Sequence, residues 1–155
     1  MIRPEHGRTL EAGARNIESL RTRADFAALL GVRVMLENVP GRFNSVAQLA
    51  PIFDARPTLG LHLDIGHSNL DAPHNYATEL IARFASRLAH VHDNRGGHAN
   101  LHLALGMGDI DFAACLGTLR GSGYGGTITL EVFSRDRHSL AHSRDRLREL
   151  WAAAA

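Results

Sequence analysis

The sequence contains no lysine, and all 17 of its basic residues are arginine. Without lysine there can be no lysine Schiff base and no phosphate-binding loop that depends on lysine, which excludes two large classes of enzyme. The arginines are nearly balanced by 16 acidic residues, giving a formal net charge of +1. The sequence has no basic run, so its charge pattern gives no reason to expect binding to nucleic acid or to a membrane.

Cysteine is equally scarce. Cys115 is the only one, so no disulfide can form within the chain and a reducing cytoplasm is the expected location. It lies in a helical pattern, which favours a small core residue over a nucleophile. No apolar run approaches the length of a membrane span, and residues 1–6 lack the apolar segment of a signal peptide.

The 155 residues suit one domain, and its most informative feature is a repeated design. Four short, strand-like segments each lead to a side chain that can bind a metal ion. These segments are Val32–Asn38, Leu59–His67, Leu88–Asn94 and Thr127–Val132. The four side chains are Glu37, Asp64, His92 and Glu131.

The alternation of side chains along these strands predicts two different faces. If the four polar residues face one way, the residues that face the other way are all apolar: Val34, Leu36, Leu61, Leu63, Ala89, Val91, Ile128 and Leu130. The residues two positions before each polar one form a mostly polar layer: Met35, His62, His90 and Thr129. One face is therefore expected to pack against helices and the other to hold a polar site.

Helical patterns separate the strands. They predict helices over residues 9–30, from 45 to about 56, from Pro73 through Tyr76 and Phe84, from 110 through Leu119, and from about 139 to 151, with an irregular excursion over 94–110. The four polar residues are 27, 28 and 39 positions apart along the chain, and one strand–helix unit of a (β/α) barrel takes roughly 30 residues. The pattern predicts an α/β fold with a parallel sheet, whose polar residues meet at the carboxyl ends of the strands.

Five motifs in this order resemble the xylose isomerase-like TIM barrel superfamily, within which the nearest resemblance is to sugar or sugar phosphate isomerases and epimerases, with endonuclease IV as a relative. The motifs are Glu37–Pro40, His62–His67, His90–Asn94, Leu105–Asp111 and Gly123–Glu131. The family's barrel has eight strands, and this chain matches only strands five to eight, a half barrel. We therefore expect either a homodimer or a missing amino-terminal half, because an isolated half would expose its edges.

The resemblance implies one divalent metal ion held by Glu37, Asp64, His92 and Glu131. Such a ligand set suits Mn²⁺, Mg²⁺, Co²⁺, Fe²⁺ or Zn²⁺. By the same resemblance, Glu37 and Glu131 carry a proton on opposite sides of a sugar substrate, through an enediolate. The alternative is that these are strand-end polar residues with no shared target.

Further residues are candidates for substrate contacts. By resemblance His67 lies over the metal and contacts substrate oxygens; otherwise it caps the loop that follows. His102 matches a histidine that endonuclease IV uses for an additional metal, although that enzyme's nearby aspartate is Asn100 here. Arg95 and His98 suit a sugar hydroxyl or phosphate, unless they belong to a solvated loop.

His62 and His90 precede the ligands Asp64 and His92 by two residues each. We expect them one layer deeper, donating hydrogen bonds to the ligands, or else as ordinary interior histidines. The sequence thus favours a metal-dependent sugar or polyol isomerase or epimerase. An endonuclease IV-like phosphodiesterase and a non-catalytic half-barrel remnant stay open as alternatives.

Overall fold

The computed structural model describes residues 10–84 and 88–154. In these residues, helices and short strands alternate along the chain. The elements are α1 (Leu10–Leu29), β1 (Met35–Glu37), α2 (Val46–Ala55), β2 (Gly60–Asp64), α3 (Ala77–Phe84), β3 (Leu88–Val91), α4 (Phe112–Gly121), β4 (Ile128–Leu130) and α5 (Arg137–Ala153). A single 3₁₀ turn over His67–Asn69 follows β2.

The four strands form one sheet in the order β1-β2-β3-β4, and every neighbouring pair is parallel. Each pair is connected through a helix, as parallel strands require. The predicted α/β class with four parallel strand–helix units is confirmed. Residues 94–110 contain neither helix nor strand apart from one isolated bridge between Asp93 and Leu103, as predicted for the excursion.

The predicted apolar face of the sheet is the face that packs against the helices. Leu36, Leu61, Leu63, Ala89 and Val91 are completely buried in the core. The other three predicted members, at the outer ends of the sheet, are half-buried against that core: Val34, Ile128 and Leu130. Burial of a leucine or valine side chain stabilises the fold by about 1.5–3 kcal/mol, so this face anchors the strands that carry the polar residues.

Helix boundaries follow the predicted signals with two exceptions. Gly31 adopts a positive φ of 68° just after α1, which suits a glycine that ends a helix. The Gln48 side chain accepts a hydrogen bond from the Ser45 backbone at the start of α2 (3.0 Å). The prediction that α3 starts at Pro73 is wrong: α3 starts at Ala77, whose backbone N–H is bound by the Asn75 side chain (2.9 Å).

The last helix is longer than predicted, since it begins at Arg137 and continues to Ala153. Asp136 caps it by accepting a hydrogen bond from the His138 backbone (2.9 Å), a cap placed ahead of the predicted start. The strands are shorter than predicted, and His92 and Glu131 lie one residue beyond β3 and β4. The Glu131 backbone still donates to the Val91 carbonyl (2.9 Å), so the pairing reaches that residue.

Strands β1 and β4 form the two edges of the sheet within the described residues. The exposed side chain of Thr129 marks the β4 edge. On the inner face, His62 is only 3% exposed and Glu37 is fully buried. No helix in residues 10–84 or 88–154 is long and apolar enough to cross a membrane.

Candidate functional site

The register of the sheet determines which polar side chains meet on its inner face. Glu37 of β1 pairs with His62 of β2, and Asp64 of β2 pairs with His90 of β3. Neighbouring residues in a parallel sheet point to the same face, so each histidine lies beside the carboxylate that ends the previous strand. The stagger between strands therefore brings His62 and His90 level with two of the predicted ligands.

The polar residues converge into four overlapping groups, and within each group the potential ligand atoms lie within 4.8 Å of one another. The groups are Glu37, His62 and His90; Glu37, Asp64 and His67; Asp64, His90 and Glu131; and His67, His92, His102 and Glu131. No single group of the described residues contains all four predicted ligands. Those four are instead linked to one another through His67, His90 and His102.

Asp64 and His92 form the best-buried charged contact of the site, with both side chains inaccessible to solvent and 3.3 Å between Asp64 Oδ1 and His92 Nε2. Burial alone would raise the pKa of the Asp64 carboxyl, but the neighbouring His92 and His67 hold it below its usual value. Burial likewise works to lower the pKa of His92, and the Asp64 carboxylate raises it nevertheless. The pair therefore favours an ionised carboxylate at this position.

His67 is held by hydrogen bonds to both of its ring nitrogens. Nδ1 lies 3.0 Å from the Asn38 carbonyl oxygen, which can only accept, so Nδ1 carries the proton. Nε2 then accepts from the Asn100 side-chain amide (3.1 Å). The backbone N–H of His67 donates to Asp64 (2.9 Å). These contacts fix the orientation of the ring beside the carboxylates, with Nδ1 3.3 Å from Asp64 Oδ2.

His102 lies over the carboxyl end of β4 with a positive φ of 47°. Its ring stacks between those of His92 and Phe133, with centroid distances of 4.1 and 4.0 Å. Its Nδ1 donates to the backbone carbonyl of Glu131 (2.8 Å) and lies 3.6 Å from the carboxylate of the same residue. The ring of His102 therefore contacts His92, a predicted metal ligand, and Glu131, a predicted proton carrier.

Arg95 and His98 remain on the surface of the excursion. The His98 side chain is 94% exposed and pairs with Asp71, and Arg95 is exposed as well. His98 belongs to none of the groups of metal-capable residues among the described residues. The structure thus does not bring these two predicted substrate contacts to the cluster.

The predicted hydrogen bonds from His62 and His90 to the ligands are not formed among the described residues. Neither ring nitrogen of His62 has a hydrogen-bond partner in the part of the chain that the structure describes, nor does Nδ1 of His90. His90 Nδ1 lies 4.0 Å from Glu37 and 3.9 Å from Glu131, beyond hydrogen-bonding distance. The register places His62 beside Glu37 and His90 beside Asp64 of the neighbouring strands, in addition to their positions two residues before the ligands of their own strands.

The environment of His62 affects its protonation. Burial, assisted by the neighbouring His90, lowers the pKa of the His62 imidazole to about 4. The two rings meet edge to face, with centroids 4.0 Å apart. His62 is therefore neutral near pH 7, the form in which an imidazole nitrogen can bind a metal ion.

Asn38 is a positioning residue that sequence reasoning missed. Its buried amide nitrogen lies within hydrogen-bonding distance of three acceptors, the Asp64 backbone carbonyl (3.0 Å), Ser68 (3.1 Å) and Asn44 (3.0 Å), and its side-chain oxygen accepts from the Asp64 backbone (2.7 Å). These bonds hold the carboxyl ends of β1 and β2 together. The only signal in the sequence was an asparagine directly after a strand-end ligand.

Asp93 has a structural role larger than the turn that its sequence position suggests. The buried carboxylate accepts backbone hydrogen bonds from Asn94, Gly106 and Gly108, each at 2.9 Å, and a longer one from Ile110 at 3.4 Å. Its hydrogen bonds therefore connect the two ends of the 94–110 excursion, the segment that carries His102.

The donor set fits a metal ion on structural grounds. Several buried atoms have no hydrogen-bond partner among the described residues: Asp64 Oδ2, His90 Nδ1, both ring nitrogens of His92, and Glu131 Oε2. A buried polar group without a partner costs about 1–3 kcal/mol. One divalent cation would satisfy carboxylate and imidazole donors together, so the residues present suit such an ion.

Comparison with known proteins identifies the family. A sequence profile described as xylose isomerase-like TIM barrel matches residues 3–151. The chain belongs to this family. The predicted resemblance is therefore confirmed for nearly the whole chain.

Individual members of the xylose isomerase-like TIM barrel family show the same relationship. Ketose 3-epimerase from Arthrobacter globiformis is 31% identical over 138 residues, which are 83% of this chain and 45% of that protein. The crystal structure of a D-tagatose 3-epimerase-like protein aligns with a TM-score of 0.83 at 25% identity, covering 99% of this chain and 61% of that chain. The TTHB071 protein from Thermus thermophilus, in a structure soaked with ZnCl₂, aligns with a TM-score of 0.70 at 28% identity, covering 94% of this chain and 58% of that one. The chain spans 42–45% of the length of the curated relatives it matches.

Proposed function

We propose that this chain carries the metal-binding and proton-transferring part of a sugar isomerase or epimerase site. The observation that supports the proposal most strongly is the position of two glutamates on the inner face of the sheet. The Oε1 atoms of Glu37 and Glu131 both lie within 4.0 Å of the same atom, His90 Nδ1. The names of the family members, ketose 3-epimerase among them, support the same reaction class.

The residues that would hold a divalent cation are Glu37, Asp64, His92 and Glu131. When bound, such an ion would polarise the carbonyl and the neighbouring hydroxyl of a ketose and so acidify the C–H bond between them. Three carboxylates and one imidazole suit Mn²⁺, Mg²⁺, Co²⁺ or Zn²⁺.

Glu37 and Glu131 would exchange the proton from two sides. One carboxylate removes the proton from the carbon beside the carbonyl, leaving an enediolate. The other returns a proton to the opposite face and inverts the configuration. The Glu131 side chain is 21% exposed and that of Glu37 is fully buried, so Glu131 is the carboxylate that would exchange its proton with solvent.

His67 and His102 would contact the substrate oxygens. The hydrogen bond to Asn38 leaves the protonated Nδ1 of His67 facing the carboxylates, and the Asn100 amide lies at Nε2. A substrate hydroxyl that displaced the Asn100 amide would donate to Nε2. The bond from His102 Nδ1 to the Glu131 carbonyl similarly leaves the Nε2 of His102 as an acceptor.

Activity of the chain as a whole belongs to this proposal, because the chain spans less than half of its curated relatives. The homodimer, or a missing amino-terminal half, remains a prediction. The molar mass in solution tests it: a tight symmetric dimer supports an assembled site, whereas a monomer favours a remnant without catalytic activity.

Solvent exchange tests the proposed chemistry directly. The chain is loaded with Mn²⁺ and incubated in D₂O with ketopentoses and ketohexoses, the metal is then removed with EDTA, and loss of the proton on the carbon beside the carbonyl is measured by NMR. We expect exchange with wild type, none with Glu131→Gln, and unchanged exchange with Glu149→Gln, which alters an exposed glutamate of α5. Equal exchange by wild type and Glu131→Gln would contradict the assigned role of Glu131.

A further inference from the structure

Within the described residues, no hydrogen bond explains the position of the His62 ring. The residue is 3% exposed, and neither ring nitrogen has a hydrogen-bond partner among residues 10–84 and 88–154. An imidazole has one donor and one acceptor nitrogen in its neutral form, so His62 leaves two hydrogen-bonding groups unmet as far as the described residues are concerned. A buried histidine with no bonded partner needs a physical explanation.

The neighbours of His62 are potential metal ligands. His62 lies beside Glu37 in the sheet register, and its ring meets that of His90 at a centroid distance of 4.0 Å. Ligand atoms of these three residues lie within 4.8 Å of one another. Nδ1 of His90, like the nitrogens of His62, lacks a hydrogen bond within the described residues.

We propose that Glu37, His62 and His90 form a second cation site, next to the four-residue site and sharing Glu37 with it. Two imidazoles and one carboxylate make a nitrogen-rich donor set that suits Zn²⁺ or Co²⁺ better than Mg²⁺. A shared carboxylate has two oxygens and can serve two ions, which in known two-metal sites lie about 3.5–4 Å apart.

The pair of His90 and Glu37 needs only a small contraction to bind one ion. Zinc bonds of about 2.0–2.1 Å to imidazole nitrogen and carboxylate oxygen place tetrahedral donors roughly 3.3–3.4 Å from one another. The distance from His90 Nδ1 to Glu37 Oε1 is 4.0 Å. Small rotations of these two side chains would therefore bring this pair to that spacing, and the ligand atoms of all three residues already lie within 4.8 Å of one another.

The second cation site and the four-residue site can be tested separately, because each contains a residue that the other lacks. His62 belongs to only one of the four groups of metal-capable residues among the described residues, whereas Asp64 belongs only to groups without His62. Substitutions at these two positions therefore address the two sites separately.

Counting bound zinc tests the proposal. The full 155-residue chain is stripped with EDTA, saturated with Zn²⁺, passed through a gel-filtration column and measured by inductively coupled plasma mass spectrometry. His62→Phe keeps the flat ring packed against His90 but removes both nitrogens. Asp64→Asn weakens the four-residue site, and His142→Phe, at an exposed histidine of α5, controls for adventitious binding. Circular dichroism reports whether each variant folds, and His62→Leu replaces His62→Phe if the latter does not.

We expect about two Zn²⁺ per chain for wild type and His142→Phe, about one for His62→Phe and about one for Asp64→Asn. One Zn²⁺ in wild type that His62→Phe keeps and Asp64→Asn loses would overturn the second site and leave the proposed function standing. One Zn²⁺ that His62→Phe loses and Asp64→Asn keeps would instead support the second site and contradict the four-residue one. No retained zinc in any protein would overturn both.

Discussion

The buried imidazole of His62 makes the metal-free protein sensitive to acid in a predictable way. Burial lowers the pKa of His62 from 6.5 to about 4. The unfolded chain therefore takes up a proton near pH 6.5, while the folded chain resists protonation until about pH 4. The contribution of the neutral His62 ring to the free energy of unfolding is fully present above pH 6.5 and is lost progressively as the pH falls toward 4.

The size of this effect follows from the two pKa values. A pKa difference of one corresponds to about 1.4 kcal/mol, so the interval from 6.5 to about 4 corresponds to about 3 kcal/mol of folding free energy. The His62→Phe variant lacks the titrating group. We expect wild type to lose about 3 kcal/mol more than His62→Phe when both are taken from about pH 7.5 to about pH 4.

Urea denaturation followed by circular dichroism, in buffers that contain EDTA, measures this difference. EDTA removes bound metal, whose own loss at low pH would otherwise add to the change. Asp64 and His92 titrate in both proteins and cancel in the comparison. His142→Phe should behave as wild type. Parallel loss of stability in wild type and His62→Phe would refute the argument, because it would mean that the native state accommodates a charged His62.

Three further predictions concern residues around the site. Asp93→Asn should destabilise the fold by about 2–4 kcal/mol, because an amide NH₂ would face the backbone N–H groups of Gly106 and Gly108; unchanged urea denaturation and unchanged proteolysis within 94–110 would contradict this. Asn38→Ala should cost about 2–3 kcal/mol and weaken Mn²⁺ binding, since it breaks the bonds between the ends of β1 and β2, and calorimetry that shows wild-type affinity would argue against a positioning role. The Cys115 thiol, whose pKa burial raises to about 12, should react with iodoacetamide at about pH 8 only on unfolding, so fast labelling of the native protein would show that the cysteine is accessible.

The faces of the sheet could be predicted from the sequence because side chains alternate strictly along a strand. Apolar residues such as Leu61 and Leu63 alternate with polar ones such as His62 and Asp64, and this parity does not depend on the rest of the fold. The spacing between strands likewise predicted helical crossovers and therefore a parallel sheet. Both predictions rest on local patterns, and both are confirmed.

The stagger between neighbouring strands could not be predicted, because each strand's own sequence says nothing about its register with the next. His62 was expected beneath Asp64 of its own strand, but its position beside Glu37 of β1 depends on the register and was not expected. The bonds of Asn38 were missed for the same reason, since they join residues 26 and 30 positions apart in the chain. The start of α3 was missed because Pro73 was expected to be the first helical residue. The helix begins four residues later, where the Asn75 side chain accepts a hydrogen bond from the Ala77 backbone.

The central claim, that the carboxyl ends of these strands hold a catalytic divalent ion, is tested most directly by anomalous diffraction from crystals grown with Mn²⁺. We predict a manganese peak at bonding distance from Glu37, Asp64, His92 and Glu131, and loss of that peak in Glu131→Gln. No peak at these residues, or one whose ligands exclude Asp64 and His92, would contradict the account.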